Sequence, residues 1–470
     1  MNRLTSPSRT HHARAAFVSA SALTLAATVL LAAHSPSARA NPLDYFGFGP
    51  RGLSMGSAQV ALADDITANY YNPAGLADRD ALQLQIGYTL IDPTLTLNGN
   101  DLGVDGVRGF QGGLLVPGDI FGHRLAVSVG VHLPDERVTR LRALPEAQPR
   151  FALYDNHPQR LVLTTSLAFE LVPEILSVGF GLTYLSDTRG RLDVTGEVDL
   201  LDAAGTELVS AVDVDFSAVR YPSAGLLFKP TRNLRFGLAF RDEFDLTLDI
   251  GVVVTGDIVT NGTTTPTPLV EGARLEVSSR NSNLFSPRQL VFGVAWTGDP
   301  TSPNDRPCFS LTAELGWYQW SRMKSPTAFL TTSLDAGSLP LSIPPNPEPT
   351  APDFHDILIP RIGYEQQVLA LPNLDLFVRA GAFYEPSPAP TQTGVTNFVD
   401  GDKLGFGFGL ALGFRDLSDV FPRPFWLDLG VSYIAMLERT HDKVDPADPT
   451  GDYISDGHFV GFSSSLRFEF

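Results

Sequence analysis

Long stretches of this 470-residue chain alternate between apolar and polar residues, and this alternation constrains its fold more than any other feature. Successive side chains of a β-strand point to opposite faces, so alternation predicts strands with one apolar face. The clearest segments are 82–90, 374–380, 404–414, 427–433 and 460–470. Beyond residue 40, no apolar run approaches the roughly 20 residues that a membrane-spanning helix needs. The sequence therefore predicts either a soluble all-β protein or a β-barrel in a membrane.

Two features favour the barrel over a soluble β-sandwich, which also alternates. The apolar faces are dense, and they recur in segments close to the roughly 10 residues of an outer-membrane strand. In 404–414, leucines and phenylalanines face one way, while Gly405, Gly407, Gly409 and Gly413 face the other. Phe470 closes an aromatic, alternating strand, as is typical of the C-terminal signal of such barrels. We therefore expect a protein of the outer membrane of a Gram-negative bacterium.

The first 40 residues have the pattern of an export signal. Three arginines precede the apolar stretch 17–33, and Ala38-Arg39-Ala40 supplies a small-x-small cleavage site. The alternative, a membrane anchor, is disfavoured because Ser and Thr dilute the apolar run. We expect cleavage of 1–40, a mature start at Asn41, and a net charge of −18 − 4 = −22, because the four arginines of this segment are lost.

Composition excludes several classes of function. The acidic net charge, with no basic patch, disfavours nucleic-acid binding. The single cysteine, Cys308, allows no intramolecular disulfide and no cysteine-based metal cluster. The acidic loop 445–452 carries oxygen ligands but lacks the spacing of a calcium motif. No H-E-x-x-H motif occurs. We predict no enzyme, no metal site and no cofactor.

Turns and loops predict the number of strands. Short turns rich in Pro, Asp or Asn occur at 116–119, 172–174, 230–233, 298–300, 371–373 and 419–422. Longer polar stretches occur at 92–106, 134–158, 188–212, 256–272, 324–354, 386–401 and 440–456. Outer-membrane barrels alternate short periplasmic turns with long outer loops. Six turns and seven loops give 6 + 7 + 1 = 14 antiparallel strands, which we place in a transmembrane barrel over 81–470.

The segment before the first strand differs from the rest of the chain. Residues 52–77 are rich in Ala, Ser and Gly, helical in character, and closed by Asn72-Pro73-Ala74-Gly75, where Pro73 ends a helix and Gly75 allows a turn. Small side chains suit a segment that is confined inside a barrel. We predict that 41–80 forms a helical hatch that plugs the lumen; the alternative is a loose periplasmic leader.

This segment resembles the hatch of the FadL-like long-chain fatty acid transporters. The resemblance rests on Met55-Gly56, Ala63-Asp64-Asp65 and Asn72-Pro73-Ala74-Gly75, and it continues through Ile86-Gly87-Tyr88. Later segments also look similar: 240–243, 317–321, 383–388 and the final aromatic strand. The resemblance implies a 14-stranded barrel in which a hydrophobic ligand enters from outside and occupies an apolar pocket. It also implies that the ligand is released when the hatch shifts, sideways through a gap at a kinked third strand.

The resemblance also implies basic groups for a ligand headgroup, near the fifth strand and before the tenth. His355 stands at the second place, where a lysine is expected, and Arg189 and Arg191 lie near the first. These departures leave neutral cargo such as aromatic hydrocarbons open. In the third strand, Gly130 and Pro134 mark a possible lateral gap, because glycine favours a bulge and proline removes a ladder donor. Alternatively, Pro134 merely ends the strand.

We therefore expect a monomeric outer-membrane transporter that takes up long-chain fatty acids or other hydrophobic small molecules by passive, hatch-gated diffusion through the lipid-embedded barrel. One alternative is a transporter of neutral aromatic hydrocarbons. Another is a non-transporting scaffold of a secretion system. A diffusion porin for polar solutes is disfavoured because a hatch would block its pore.

Overall fold

The computed structural model describes residues 46–135, 145–154, 161–199, 207–260, 267–299, 306–327, 329–335, 343–415, 423–446 and 448–470. The predicted signal peptide and the first five residues of the predicted mature chain lie outside these ranges, as does the predicted turn 419–422.

Within the described ranges, helices are few and short. They are α1 (Gly49–Ser54), α2 (Ala68–Tyr71) and two 3₁₀-helices (Pro73–Asp78 and Trp320–Arg322). Among the described residues, no helix has the length and apolarity that a membrane crossing requires.

The part of the chain that the structure describes contains eighteen strands in one sheet. They are β1 (Gln83–Leu97), β2 (Asn100–Asp101), β3 (Val107–Ile120), β4 (His123–Pro134), β5 (Val162–Val172), β6 (Leu176–Asp199), β7 (Glu207–Phe228), β8 (Leu234–Arg241), β9 (Phe244–Thr260), β10 (Thr267–Ser286), β11 (Arg288–Thr297), β12 (Phe309–Gln319), β13 (Phe329–Asp335), β14 (Ile357–Leu371), β15 (Leu374–Glu385), β16 (Lys403–Phe414), β17 (Phe425–His441) and β18 (Tyr453–Glu469).

The sheet closes into a barrel because β1 pairs antiparallel with β18 along its whole length, from Gln83↔Glu469 to Leu97↔Ser455. The pair β8 and β9 forms one span, as does the pair β10 and β11, while β2 and β13 are short strands outside the barrel wall. The number of spans is therefore 18 − 2 − 2 = 14. The predicted 14-stranded antiparallel barrel is confirmed.

The predicted faces of the strands are also confirmed. In β16, Leu404, Phe406, Phe408 and Leu410 are exposed, whereas Gly405 and Gly407 are buried and Gly409 is half-buried. Phe377, which breaks the alternation of β15, points inward and packs on Trp426, with 5.9 Å between the ring centroids. The apolar side chains that cover the outer wall are those that a bilayer accommodates.

The first predicted turn, 116–119, is placed wrongly, since these residues belong to β3. The chain turns at Phe121 and Gly122, both with positive φ, which suits a tight two-residue hairpin. Pro117 pairs on one side only, with Ala126 of β4, because the pairing of β3 with β1 ends at Leu115, and a strand with one free edge tolerates a proline.

The predicted loops 188–212 and 256–272 are much shorter than expected, because β6, β7, β9 and β10 continue through them. In this extension β6 pairs antiparallel with β7 and also in parallel with β9, from Gly190↔Ile250 to Asp199↔Val259. β10 pairs with β9 and with β13. A mixed sheet therefore extends from one side of the barrel at its long-loop end, which is the outer end by the usual barrel convention.

We expect Phe408→Arg to destabilise the barrel by about 2–4 kcal/mol, because it places a cation at the middle of a lipid-facing strand. Phe408 is 60% exposed on the outer wall. The measurement is equilibrium unfolding in lipid vesicles. The control is Val444→Arg in an outer loop, where the side chain is 77% exposed and a change below about 1 kcal/mol is expected. Equal losses at both positions would contradict the assigned face.

Candidate functional site

Residues 46–79 are almost entirely buried and contact strands on opposite sides of the barrel. Asn72 donates a hydrogen bond to the Leu226 carbonyl of β7, the sixth span (Nδ2–O 3.1 Å). Pro50 lies against Gly430 of β17, the thirteenth span. Between these, the backbone N–H of Val60 donates to the Glu314 carboxylate of β12. The segment therefore lies across the lumen, as expected of a hatch.

The predicted Asn72-Pro73-Ala74-Gly75 turn is buried, and Asn72 connects it to the rest of the molecule. Its Nδ2 also donates to the Val60 carbonyl (2.7 Å), and its Oδ1 accepts from the Ala74 N–H (3.1 Å). Pro73 begins a 3₁₀-helix rather than simply ending a helix. One side chain thus caps this helix, holds a second part of the hatch, and bonds to the wall.

Glycines on the inner wall allow the hatch backbone to approach closely. A Cβ on Gly225 would lie 1.9 Å from Asn72 Oδ1, and one on Gly407 would lie 2.3 Å from the Leu53 carbonyl. The predicted glycine stripe of β16 therefore makes room for the hatch at Gly407 and Gly409, and for the wall side chains Phe383 and Trp426 at Gly405 and Gly413.

A buried ion network connects the hatch to the wall. Arg51 of the hatch binds both Asp64 and Glu365, each at 2.9 Å. Arg379 joins Glu365 to Asp428 (both 2.6 Å), and Arg467 binds the hatch residue Asp65 (3.0 Å). A buried network of ion pairs therefore occupies the lumen, and it reaches the hatch through Arg51 and Asp65.

Electrostatics within the hatch favour the ionised form of Asp64. Burial raises the pKa of its carboxyl, but the guanidiniums of Arg79 and Arg51 outweigh this effect and hold the pKa well below its ordinary range. Asp64 therefore remains charged at neutral pH, and its two arginine partners remain bound to it.

Above the hatch, toward the long-loop end, the lumen is apolar. A continuous buried cluster, here called the outer apolar cluster, joins strand residues to loop residues that fold inward. Its members include Leu53, Leu95, Phe151, Leu153, Tyr154, Phe285, Trp320, Phe354, Phe398, Val399, Ile434, Met436 and Phe459. The lumen of a polar-solute channel is hydrophilic, so this lining suits a hydrophobic ligand.

The cations beside this cluster are already engaged. Lys403 pairs with Glu385 (3.2 Å) and Asp400 (3.1 Å). Arg150 donates to the Pro326 carbonyl (3.1 Å) and lies over the Phe398 ring, 5.5 Å from its centroid. Arg361 donates to the Gly56 carbonyl of the hatch (3.2 Å). A ligand carboxylate would have to compete with each of these partners.

The predicted headgroup residues lie apart. His355 is exposed, although the preceding Phe354 belongs to the outer apolar cluster. Arg191 lies on the extension of β6, 57% exposed, and pairs with Asp193 (2.9 Å). The backbone of Arg189 pairs with Asp215, and its side chain lies outside what the structure describes. β6, which carries Arg189 and Arg191, is the fifth span of the barrel. β14, which follows His355, is the tenth span. The two arginines and His355 are therefore five strand positions apart around the barrel.

At the predicted lateral gap, β4 pairs on both sides without a register shift. Gly130 lies opposite Gly113 of β3 and Thr164 of β5. Pro134 pairs only with β3, because the pairing with β5 ends at His132. Pro134 thus marks the end of two-sided pairing, and a lateral opening at Gly130 and Pro134 stays a prediction.

Sequence patterns missed the inward-folding loop residues. Phe151 and Tyr154 come from a stretch taken for an ordinary outer loop, and Phe398 comes from another. The available signal was the aromatic content of 151–154 and 397–399 within otherwise polar loops. What joins them is a long-range bridge between Arg150 and Phe398, which no local pattern contains.

Comparison with known proteins gives a consistent result. The model of the family described as outer membrane protein transport protein (OMPP1/FadL/TodX) matches residues 29–470. Alkane uptake protein A of Marinobacter nauticus is 27% identical over 287 residues, which are 60% of this chain and 54% of that protein. The match therefore spans about half the length of that relative.

Solved structures share the fold at low sequence identity. A Pseudomonas aeruginosa FadL homologue superposes with a TM-score of 0.54 at 15% identity, covering 93% of this chain and 100% of its own. The Pseudomonas putida toluene transporter TodX gives 0.51 at 13% identity, with the same coverage. These similarities support the barrel architecture.

We expect Gly225→Leu to displace the Asn72–Gly75 turn, because its Cβ would overlap Asn72 Oδ1. Overpacking of this kind costs about 1–3 kcal/mol, and a displaced hatch raises ion conductance in planar bilayers. The control is Gly251→Leu, since a Cβ on Gly251 meets nothing within 4 Å. If conductance does not rise in Gly225→Leu relative to this control, the turn does not seal the lumen.

We expect Arg51→Ala to lower the free energy of unfolding by about 3–5 kcal/mol, because it leaves buried carboxylates of the hatch and the wall without one partner. Denaturant unfolding measures the loss. Arg191→Ala is the control, since exposed ion pairs contribute less than about 1 kcal/mol. A similar small loss in both variants would mean that the lumenal network is hydrated rather than buried.

Proposed function

This chain belongs to the outer membrane transport protein family (OMPP1/FadL/TodX), and on that premise we propose that its lumen carries hydrophobic small molecules inward across the outer membrane. The barrel lies in the outer membrane of a Gram-negative bacterium and acts as a monomer, without catalysis. Transport is passive: the ligand follows its gradient, and the hatch controls passage.

One observation supports the proposal most strongly, the outer apolar cluster. The fold does not require this cluster, because the apolar side chains on the outer wall of a barrel already contact the lipid and the lumen can be filled by water. Here loop residues such as Phe151 and Phe398 are instead buried within the lumen. An apolar site lowers the free energy of a hydrophobic molecule that has left water, which a scaffold or a polar-solute porin does not need.

The ligands we propose first are neutral hydrocarbons. Lys403, Arg150 and Arg361 are all engaged at the edge of the cluster, so no strong carboxylate site is evident among the described residues. The relative from Marinobacter nauticus is named for alkane uptake, and the relative from Pseudomonas putida for toluene transport.

Long-chain fatty acids are the second class, with His355, Arg189 and Arg191 as the outer groups that would meet a carboxylate. His355 lies beside Phe354 of the outer apolar cluster. This proximity would place a headgroup at the outer surface and an acyl tail inside. Release through Gly130 and Pro134 remains part of the proposal.

The test is binding of radiolabelled hexadecane and palmitate to the purified protein, with Phe398→Asp as the variant. Phe398 is fully buried in the cluster, so a charge there should lower the affinity for both ligands by at least about tenfold. The matched control is Phe110→Asp on the outer wall, where Phe110 is 53% exposed. Binding by this control should equal that of the wild type once it is folded in detergent.

The same experiment with His355→Ala separates the two ligand classes. Weaker palmitate binding with unchanged hexadecane binding would support the carboxylate role of His355. Binding of hexadecane without binding of palmitate would support the transport proposal and would rule out the headgroup site. If the wild type binds neither ligand, the transport proposal is wrong, and a scaffold with protein partners becomes the better hypothesis.

A further inference from the structure

His132 is a buried polar side chain that the barrel itself leaves unsatisfied. It points inward from β4 and is only 1% exposed. Within the part of the chain that the structure describes, neither ring nitrogen has a hydrogen-bond partner. Its neighbours across the ladder are Gln111 of β3 and Val162 of β5. Buried polar side chains are normally bonded, so an imidazole with two unused nitrogens requires an explanation.

A second unsatisfied atom lies nearby on the hatch. Asn69 Nδ2 donates to the Ile66 carbonyl (2.9 Å) and to Ser128 Oγ (2.6 Å), while its Oδ1 is buried without a hydrogen-bond partner among the described residues. A Cβ on Gly130 would lie 3.5 Å from this Nδ2. Gly130 and His132 are successive inward positions of one strand, roughly 6.6 Å apart. The side-chain amide of Asn69 therefore lies beside Ser128 and Gly130, the two inward positions of β4 that precede His132.

The surroundings of these polar atoms are apolar. Val162, the neighbour of His132, belongs to a cluster that joins hatch residues such as Phe48 to the wall residues Leu185, Tyr221 and Phe244. This inner apolar cluster is distinct from the outer one. Phe48 also lies 3.6 Å from the position of a Cβ on Gly130. A ligand that reached His132 would therefore have its hydrophobic part against aromatic and aliphatic side chains.

The chemistry of the unsatisfied atoms selects the polar group of the ligand. A neutral imidazole presents one N–H donor and one nitrogen acceptor, and an amide oxygen only accepts. A carboxylate carries acceptors alone and would face Asn69 Oδ1 without a proton to donate. A hydroxyl group both donates and accepts, so it complements these atoms.

We propose that His132, together with Asn69 Oδ1, binds the hydroxyl group of a hydrophobic ligand, such as a long-chain alcohol, inside the lumen. The inference rests on the proposed transport function and makes it more specific. It assigns the protein a preference among hydrophobic molecules: an alcohol binds more tightly than the alkane of the same chain length.

The experiment compares the binding of 1-dodecanol, dodecane and dodecanoate to the purified full-length barrel. Two neutral hydrogen bonds to otherwise unsatisfied buried groups should make wild-type affinity for the alcohol about tenfold higher than for the alkane. His132→Leu should remove this preference and leave dodecane affinity unchanged. His132→Gln, which keeps a donor and an acceptor, should retain most of the preference.

The matched control is His123→Leu on the same strand, because the His123 ring is already bonded to the Glu170 carbonyl (3.0 Å) near the turn. This variant should keep the alcohol preference. The folded state of each variant is checked by its heat-modifiable mobility in gels. If His132→Leu does not fold, the wild-type preference and the His132→Gln variant still decide the matter.

The outcomes separate this inference from the proposed function. Equal binding of dodecanol and dodecane by the wild type, or a preference that survives His132→Leu, would overturn the hydroxyl site and leave the transporter intact. Stronger binding of dodecanoate than dodecanol, lost in His132→Leu, would also overturn it, in favour of a carboxylate site. Binding of none of the three would overturn the transport proposal itself.

Discussion

The pairing of β1 with β18 is the constraint on which the rest of this molecule depends. Lipid offers no hydrogen bonds to the backbone, so every strand in the membrane needs a neighbour on both sides, and only a closed sheet provides this. Closure then fixes the two faces: alternate side chains meet lipid, and the others surround a lumen that the chain must fill or leave to water. The continuous ladder from Gln83 to Leu97 therefore explains both the apolar outer wall and the need for an inner segment.

The hatch fits inside the barrel because its neighbours on the wall are small, and it is held there by buried ion pairs. Glycines of the wall allow close approach, since Gly407 lies against the backbone of Leu53 and Ser54, and Gly225 lies against the side chain of Asn72. Buried ions then join the two parts, because Arg51 bonds to a carboxylate of the hatch and to one of the wall. A buried charge that loses its partner is costly unless water replaces that partner. We therefore expect any movement of the hatch to require hydration of the lumen.

Much of this architecture could be predicted from local patterns. Alternation depends only on neighbours in sequence, so the strands and their faces followed from it, and their number followed from the turns and loops between them. The position of 46–79 inside the barrel was predicted from its small residues and from the Asn72–Gly75 turn. Pro117 misled the placement of a turn, because a strand that is paired on one side only can contain a proline. The outer apolar cluster could not be predicted, since Phe151 and Phe398 meet only through the fold.

The two apolar clusters suggest how a hydrophobic ligand would pass the hatch under the proposed passive transport. A ligand held too tightly in one site would never leave it, so passage requires sites of similar affinity. The hatch contributes Leu53 to the outer cluster and Phe48 to the inner one. Under the proposed transport function, a hydrophobic ligand that displaced either side chain would exchange one apolar contact for another, at little net cost. We expect the same exchange on the far side of the hatch to let the ligand move on, with the ion network favouring the closed position of the hatch.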